Sequence, residues 1–401
     1  MYYIPGYIKI QNSNEKITLQ NEYTKCTIGL ETKYKKELSR IIKYGVDKLS
    51  TDLELFLYKY KFLLTEKEFT DEIHSYYEDN DNFLRFIMMP TEGCNFRCTY
   101  CYEDHTKKES KLDYETIHSF MKSKINEKEW KQIIVNWFGG EPLLKIKEIE
   151  SFSKMIKDLR DNYCIISSIT TNGYTLTNNN ISILDESGVL NYQITVDGID
   201  QDKTRILSDG SPTYSVIMEN IKTLKNHPIQ SCQIRVNITD TSSNNEQFYQ
   251  ELSDIIQDDD RFSLDIHKVF ESDYYKLSSY DKLEMIHKEN IEIAESLGLT
   301  IDLDNQSILQ CYGAQRNCYT FRPDSSIVKC TVALDDDWNQ IGRVNDHNVE
   351  IYDSNGTDCL EEERIRNCMR CIRIHSCESY TCPKKMHEKF RCKPQLHEVE
   401  F

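Results

Sequence analysis

Cys94, Cys98 and Cys101 put three thiols into the run TEGCNFRCTYC, directly after the apolar stretch FLRFIMMP. Thiols so close together suit three chemistries. A disulfide leaves one of them over. A zinc knuckle needs a fourth ligand from elsewhere. A four-iron cluster held by three cysteines keeps one iron open, and an open position marks a catalytic metal, whereas a closed four-cysteine site only stores or passes electrons. The chain holds fifteen cysteines, eight of them at or after Cys318. In a reducing compartment that density is better explained by metal than by disulfides. Cys368, Cys371, Cys377, Cys382 and Cys392 follow the spacing C-x2-C-x5-C-x4-C-x9-C, with Cys311, Cys318 and Cys330 upstream.

These residues need elements that present them. From about residue 83, β-rich runs (FLRFIMM, IIVNWF, CIISSIT, NYQITV, QIRVNI, FSLDIHKVF and LTIDL) alternate with longer amphipathic segments such as YSVIMENIKTLKNH and YDKLEMIHKENIEIAESLG. Such alternation builds βαβ units around a parallel sheet, and chemistry then belongs on the loops after the strands. The cysteine triplet follows the first strand, and FGGEP, TTNG and TVDG follow later ones. Before this region, residues 1–80 read as a small module: YIKIQ and KITLQ flank a polar turn as a hairpin, and Leu38, Ile41, Ile42 and Val46 have helical spacing. Beyond about residue 305 the apolar periodicity stops. A loop-rich tail of that kind needs metal to fold. The expected domains are therefore 1–80, 83–305 and 306–401.

Composition narrows the function. At 401 residues and a net charge of −17, the chain repels nucleic-acid phosphates. No run approaches the ~20 apolar residues of a membrane span, and MYYIPGYIKIQ has no signal-peptide pattern. A cytoplasmic protein with no nucleic-acid or membrane partner is expected. The acidic runs Gln257–Asp260 and Asp335–Asp337 read as solvated loops. Cys164 and Cys232 begin strands and read as small core residues. Cys26 has no evident partner and Cys359 lies outside the spaced set.

C-x3-C-x2-C with Tyr100 before the last cysteine resembles the defining motif of the radical S-adenosylmethionine (SAM) superfamily, and the tail resembles its SPASM extension. The resemblance covers roughly residues 84–395. It implies an α/β fold: a partial (β/α)6 TIM-type barrel with a small N-terminal α+β, winged-helix-like module and a loop-rich C-terminal iron–sulfur domain. It implies SAM and three [4Fe-4S] clusters. The first is held by Cys94, Cys98 and Cys101; one auxiliary cluster by Cys311, Cys318, Cys330 and Cys382; the other by Cys368, Cys371, Cys377 and Cys392. Gly139, Gly140 and Glu141 stand where the superfamily binds the substrate's amino group, Thr195 and Asp197 near the ribose, and Arg205, eight residues after Asp197, matches a frequent arginine. Two departures stand out: one extra residue before Cys382, and Ser325 where the family usually has glycine.

The implied reaction is hydrogen abstraction by a 5′-deoxyadenosyl radical. A peptide maturase that joins a cysteine sulfur to carbon in a ribosomally made precursor is expected, with a leader peptide as partner and flavodoxin or ferredoxin as electron donor. Carbon–carbon crosslinking, decarboxylation, epimerisation and sulfatase maturation stay open, as does a metal-stabilised peptide-binding adaptor. No catalytic base is assigned; Asp265, His267 and Lys268 sit at a strand end without a distinguishing pattern.

Overall fold

Ile17 and Leu19 alternate with Thr18 and Gln20, and that period of two folds as a strand with one buried face. The computed structural model describes residues 1–352 apart from 14–15, 22–25, 70, 72–81, 104–110, 244, 270, 272–274 and 303–310, together with Met369. The chain divides into two units, and the first has its described members within 1–81, 306–316 and at Met369. In it β1 (Tyr2–Tyr3) pairs with β5 (Leu64–Thr65), while β2 (Ile8–Asn12), β3 (Lys16–Asn21) and β4 (Thr27–Glu31) form an antiparallel meander. Helix α1 (Lys35–Tyr44) buries Leu38 and Ile41. Helix α2 (Asp52–Lys59) starts at a reciprocal cap between Thr51 and Glu54.

Met369 is fully buried in this unit's core with Ile8, Leu19 and Leu57, and its carbonyl accepts Gly6 N–H at 2.7 Å. A residue between Cys368 and Cys371 thus completes an apolar core begun by the first strands. The division differs from the expected 1–80, 83–305 and 306–401, because that core draws on both ends of the chain and residues 317–354 belong to the other unit.

The second unit is built on a ten-stranded mixed sheet, ordered β13-β12-β10-β9-β8-β6-β14-β15-β16-β17. Its parallel part comprises β6 (Phe83–Met88), β8 (Gln132–Trp137), β9 (Ile165–Thr171), β10 (Val189–Thr195), β12 (Ser231–Ile238) and β13 (Phe262–Lys268). Cys232, Ile234, Val236 and Ile238 on β12 are fully buried in the main hydrophobic core. Gln233, Arg235 and Asn237, on alternate positions, point to a polar face, where Arg235 meets Asp265 at 3.0 Å and Gln233 meets Asp302 at 2.6 Å.

Three expectations fail here. LTIDL is no strand; it contributes an isolated bridge between Ile301 and Leu264. Cys164 precedes β9 and is exposed, whereas Cys232 is buried. The third concerns the segment after 316, expected to be loop. It forms β14 (Cys318–Phe321), β15 (Ser326–Val328), β16 (Gln340–Asn345) and β17 (Asn348–Ile351), with β14 parallel to β6 and the others antiparallel. These strands are too short for periodicity to show, and β6 supplies the edge that orders them.

The turn from β14 to β15 has a backbone at 325 that suits glycine better than the serine present. Ser325 has φ of 72°, a left-handed conformation that side chains disfavour. Ser325→Gly is expected to leave stability unchanged or raise it by up to about 1 kcal/mol, the relieved strain being partly offset by glycine's greater entropy when unfolded. Urea unfolding of the two proteins measures it; a loss of stability would show that the serine side chain has a compensating task.

Candidate metal and cofactor site

The loop after β6 carries Cys94, then turns into a short strand β7 (Phe96–Cys98) that pairs antiparallel with β11 (Arg205–Leu207). Arg205 is the partner of Cys98 in that ribbon. Phe96 N–H donates to Cys94 Sγ at 3.3 Å. Asn172 ties the same loop to the TTNG turn through Asn95 Oδ1 at 2.8 Å. Burial pushes the thiols of Cys94 and Cys101 up to about 12 and raises that of Cys98, where Arg205 opposes the shift. All three are therefore protonated at neutral pH until a metal displaces the proton.

The Gly-Gly-Glu turn backs directly onto this loop. Gly140 N–H donates to the Thr91 carbonyl at 3.1 Å and Glu141 N–H to that of Gly93 at 3.0 Å. A Cβ on Gly140 would overlap the Gly93 carbonyl, and one on Gly139, whose φ is 125°, would overlap that of Thr91. Two backbones touch where side chains do not fit. Glu141 is fully buried, and its carboxylate accepts from Leu143 N–H (3.0 Å), Thr171 Oγ1 (2.7 Å) and Asn172 N–H (2.7 Å). Burial raises its carboxyl and these donors oppose the rise. Three of a carboxylate's roughly four acceptor positions are taken, which leaves one lone-pair position over.

Tyr100, Asp197 and Arg205 meet in one buried cluster. Asp197 accepts the Tyr100 hydroxyl and, at 3.0 Å, Asn237 N–H. The same hydroxyl accepts from Arg205 at 3.0 Å and from Asn237 Nδ2 at 3.1 Å. Arg205 Nε lies 3.9 Å from the Asp197 carboxylate, and its guanidinium sits 5.6 Å from the centre of the Phe96 ring. Thr195 joins through its carbonyl, 3.4 Å from Arg205. Burial raises the Asp197 carboxyl, while Arg205, Tyr100 and Asn237 hold it down. Sequence reasoning missed Asn237. Its signal is the polar alternation Gln233, Arg235, Asn237 along β12.

Among the described residues, no group of three or more His, Cys, Asp or Glu side chains could hold a metal ion. An iron–sulfur cluster is wider than an ion, so its thiols stand apart instead of converging on one point. The donor set fits such a group: three thiols on one loop, with a backbone amide aimed at the sulfur of Cys94. Cys318 and Cys330 are buried and Cys311 half-buried. Cys359, Cys368, Cys371, Cys377, Cys382 and Cys392 lie outside the described residues.

The pattern of the radical SAM superfamily matches residues 88–252. A GTP 3′,8-cyclase of Aliarcobacter butzleri (strain RM4018) is 34% identical over 116 residues, 28% of this chain and 34% of that protein. The chain spans between about a third and two-fifths of the length of the first curated relatives it matches. A cysteine-type anaerobic sulfatase-maturating enzyme of Clostridium novyi (strain NT) is 25% identical, covering 72% of this chain and 84% of that protein. The solved structure of native anSMEcpe with bound AdoMet shares the fold: TM-score 0.56 at 17% identity, over 76% of this chain and 96% of that one.

Proposed function

Residues 88–252 make this chain a member of the radical SAM superfamily, and on that premise we propose that it is a peptide maturase, acting in the cytoplasm on a ribosomally made precursor. The observation that carries the cofactor part is the Cys94–Cys101 loop held against the Gly-Gly-Glu turn. When bound, the cluster and SAM supply one-electron cleavage of SAM and hydrogen abstraction from an unactivated carbon.

The chain's own residues do the rest. Cys94, Cys98 and Cys101 hold the cluster, and Gly139 and Gly140 let backbone approach the loop. Glu141 fixes the TTNG turn beside it through Thr171 and Asn172, and its remaining acceptor position suits an ammonium group. Tyr100, Asp197, Arg205 and Asn237 keep the far side of the loop closed and dry. The six parallel strands serve as a partial barrel. The tail cysteines, with Cys311, Cys318 and Cys330, hold two auxiliary clusters, and residues 1–80 take the leader peptide, in part by strand addition. A flavodoxin or ferredoxin supplies electrons.

The reaction is thioether formation. A thiol S–H and a carbon C–H would be lost and an S–C bond formed, with the carbon's hydrogen leaving in 5′-deoxyadenosine, the thiol's hydrogen leaving as a proton and the remaining electron passing to an auxiliary cluster. The auxiliary thiolate chemistry suits a cysteine-bearing substrate. Sulfatase maturation is the second reading, favoured by the extent of the Clostridium novyi match.

Intact-mass analysis of a cysteine-containing precursor peptide, co-expressed anaerobically and reduced, tests this. Loss of two hydrogens with a thiol that no longer alkylates is the expected result. The same loss with a free thiol means carbon–carbon crosslinking. An unmodified peptide together with conversion of a sulfatase peptide to its formylglycine form would establish the second reading.

A further inference from the structure

Residues Thr91–Gly93 lead from β6 into Cys94. On one side their carbonyls take the amides of Gly140 and Glu141. On the other, the Glu92 carboxylate accepts Arg322 Nε at 2.6 Å. Both side chains are shielded, Glu92 at 10% exposure and Arg322 at 7%. Arg322 directly follows β14. Its NH1 also donates to the Leu334 carbonyl at 2.7 Å and lies 3.5 Å from Ser326 Oγ. Asp324 and Asp335 each stand 3.7 Å from the guanidinium but are 53% and 68% exposed, so water screens them and Glu92 dominates.

We propose that Glu92 and Arg322 are a positioning pair that fastens the Cys94 loop to the β14–β15 hairpin, so that SAM binding depends on a residue outside 88–252. The inference rests on the reading of Cys94 as a cluster ligand. A buried ion pair is a weak source of stability, because desolvation offsets most of the attraction. It is better suited to fixing direction. The planar guanidinium reaches Glu92 and the Leu334 carbonyl with different nitrogens at a set angle, which a lysine cannot reproduce. The glycine turn and Arg322 thus hold the loop at two separate points.

The test uses the full-length protein, reconstituted anaerobically with iron and sulfide. Glu92→Gln keeps the shape and removes the charge; Arg322→Lys keeps the charge and removes the fork. For E92Q the expected result is retained iron, a raised KM for SAM and a fall in kcat/KM for SAM cleavage of about a hundredfold, the scale of a small misplacement. The change that SAM induces in the electron paramagnetic resonance spectrum of the reduced cluster should alter with it. R322K should move the same way by less, and it decides the matter if E92Q does not fold. Variants that melt earlier but keep the wild-type KM and SAM-induced spectrum would overturn the pair's role, leaving the cofactor assignment intact. A wild-type protein that neither cleaves SAM nor changes its spectrum on SAM addition would overturn both.

Discussion

Replacing Cys94, Cys98 and Cys101 together by alanine is expected to abolish SAM cleavage and to remove one cluster's worth of iron, about four atoms per chain, while the remaining iron stays. The three thiols share one loop, each is half-buried, and desolvation raises all three above the ordinary thiol range. A single substitution could leave a damaged cluster on two ligands; the triple change cannot. Anaerobic iron and sulfide analysis with chromatographic detection of 5′-deoxyadenosine reads both halves. Persistent cleavage would mean that another set of cysteines holds the SAM-binding cluster. Iron falling to zero would mean that the tail holds none of its own.

The second large effect is expected at Arg205. Its guanidinium is 6% exposed, it is the chief group holding the buried Asp197 carboxyl down, and it donates to Tyr100 beside Cys98 and Cys101. Arg205→Met fills similar volume and leaves Asp197 buried with only the weaker pull of Arg235. The loss should be about 3–5 kcal/mol of unfolding free energy, read by urea unfolding of the metal-free protein. Adding Asp197→Asn removes the stranded charge and should restore part of the loss. Were the single variant destabilised by less than about 1 kcal/mol, the cluster would be a solvated ion pair and not the buried lock its distances describe.

How legible this molecule is from its residues depends on the length scale of each interaction. The cysteine triplet and the Gly-Gly-Glu turn are local, so their spacing is legible without coordinates. The parallel strands are legible because their β-branched runs are six to eight residues long and separated by amphipathic helices. The strands after residue 317 are three to six residues long and borrow their order from β6, so nothing local announces them. Cys164 looked like a core residue because CIISSIT reads as one strand, yet the strand begins at Ile165. The roles of Thr195, Asp197 and Arg205 depend on partners far along the chain. Tyr100 and Asn237 are 137 positions apart, and no periodicity connects them.

Distance along the chain also has a meaning in time. Glu92 and Arg322 are separated by 230 residues. At about 5–20 residues per second, a ribosome takes roughly 10–50 s to make that interval. Throughout it, Cys94, Cys98 and Cys101 already exist as a nascent loop whose outer fastening has yet to be synthesised. The geometry proposed for SAM binding is therefore completed late in the synthesis of this chain, long after the cysteines themselves are in place.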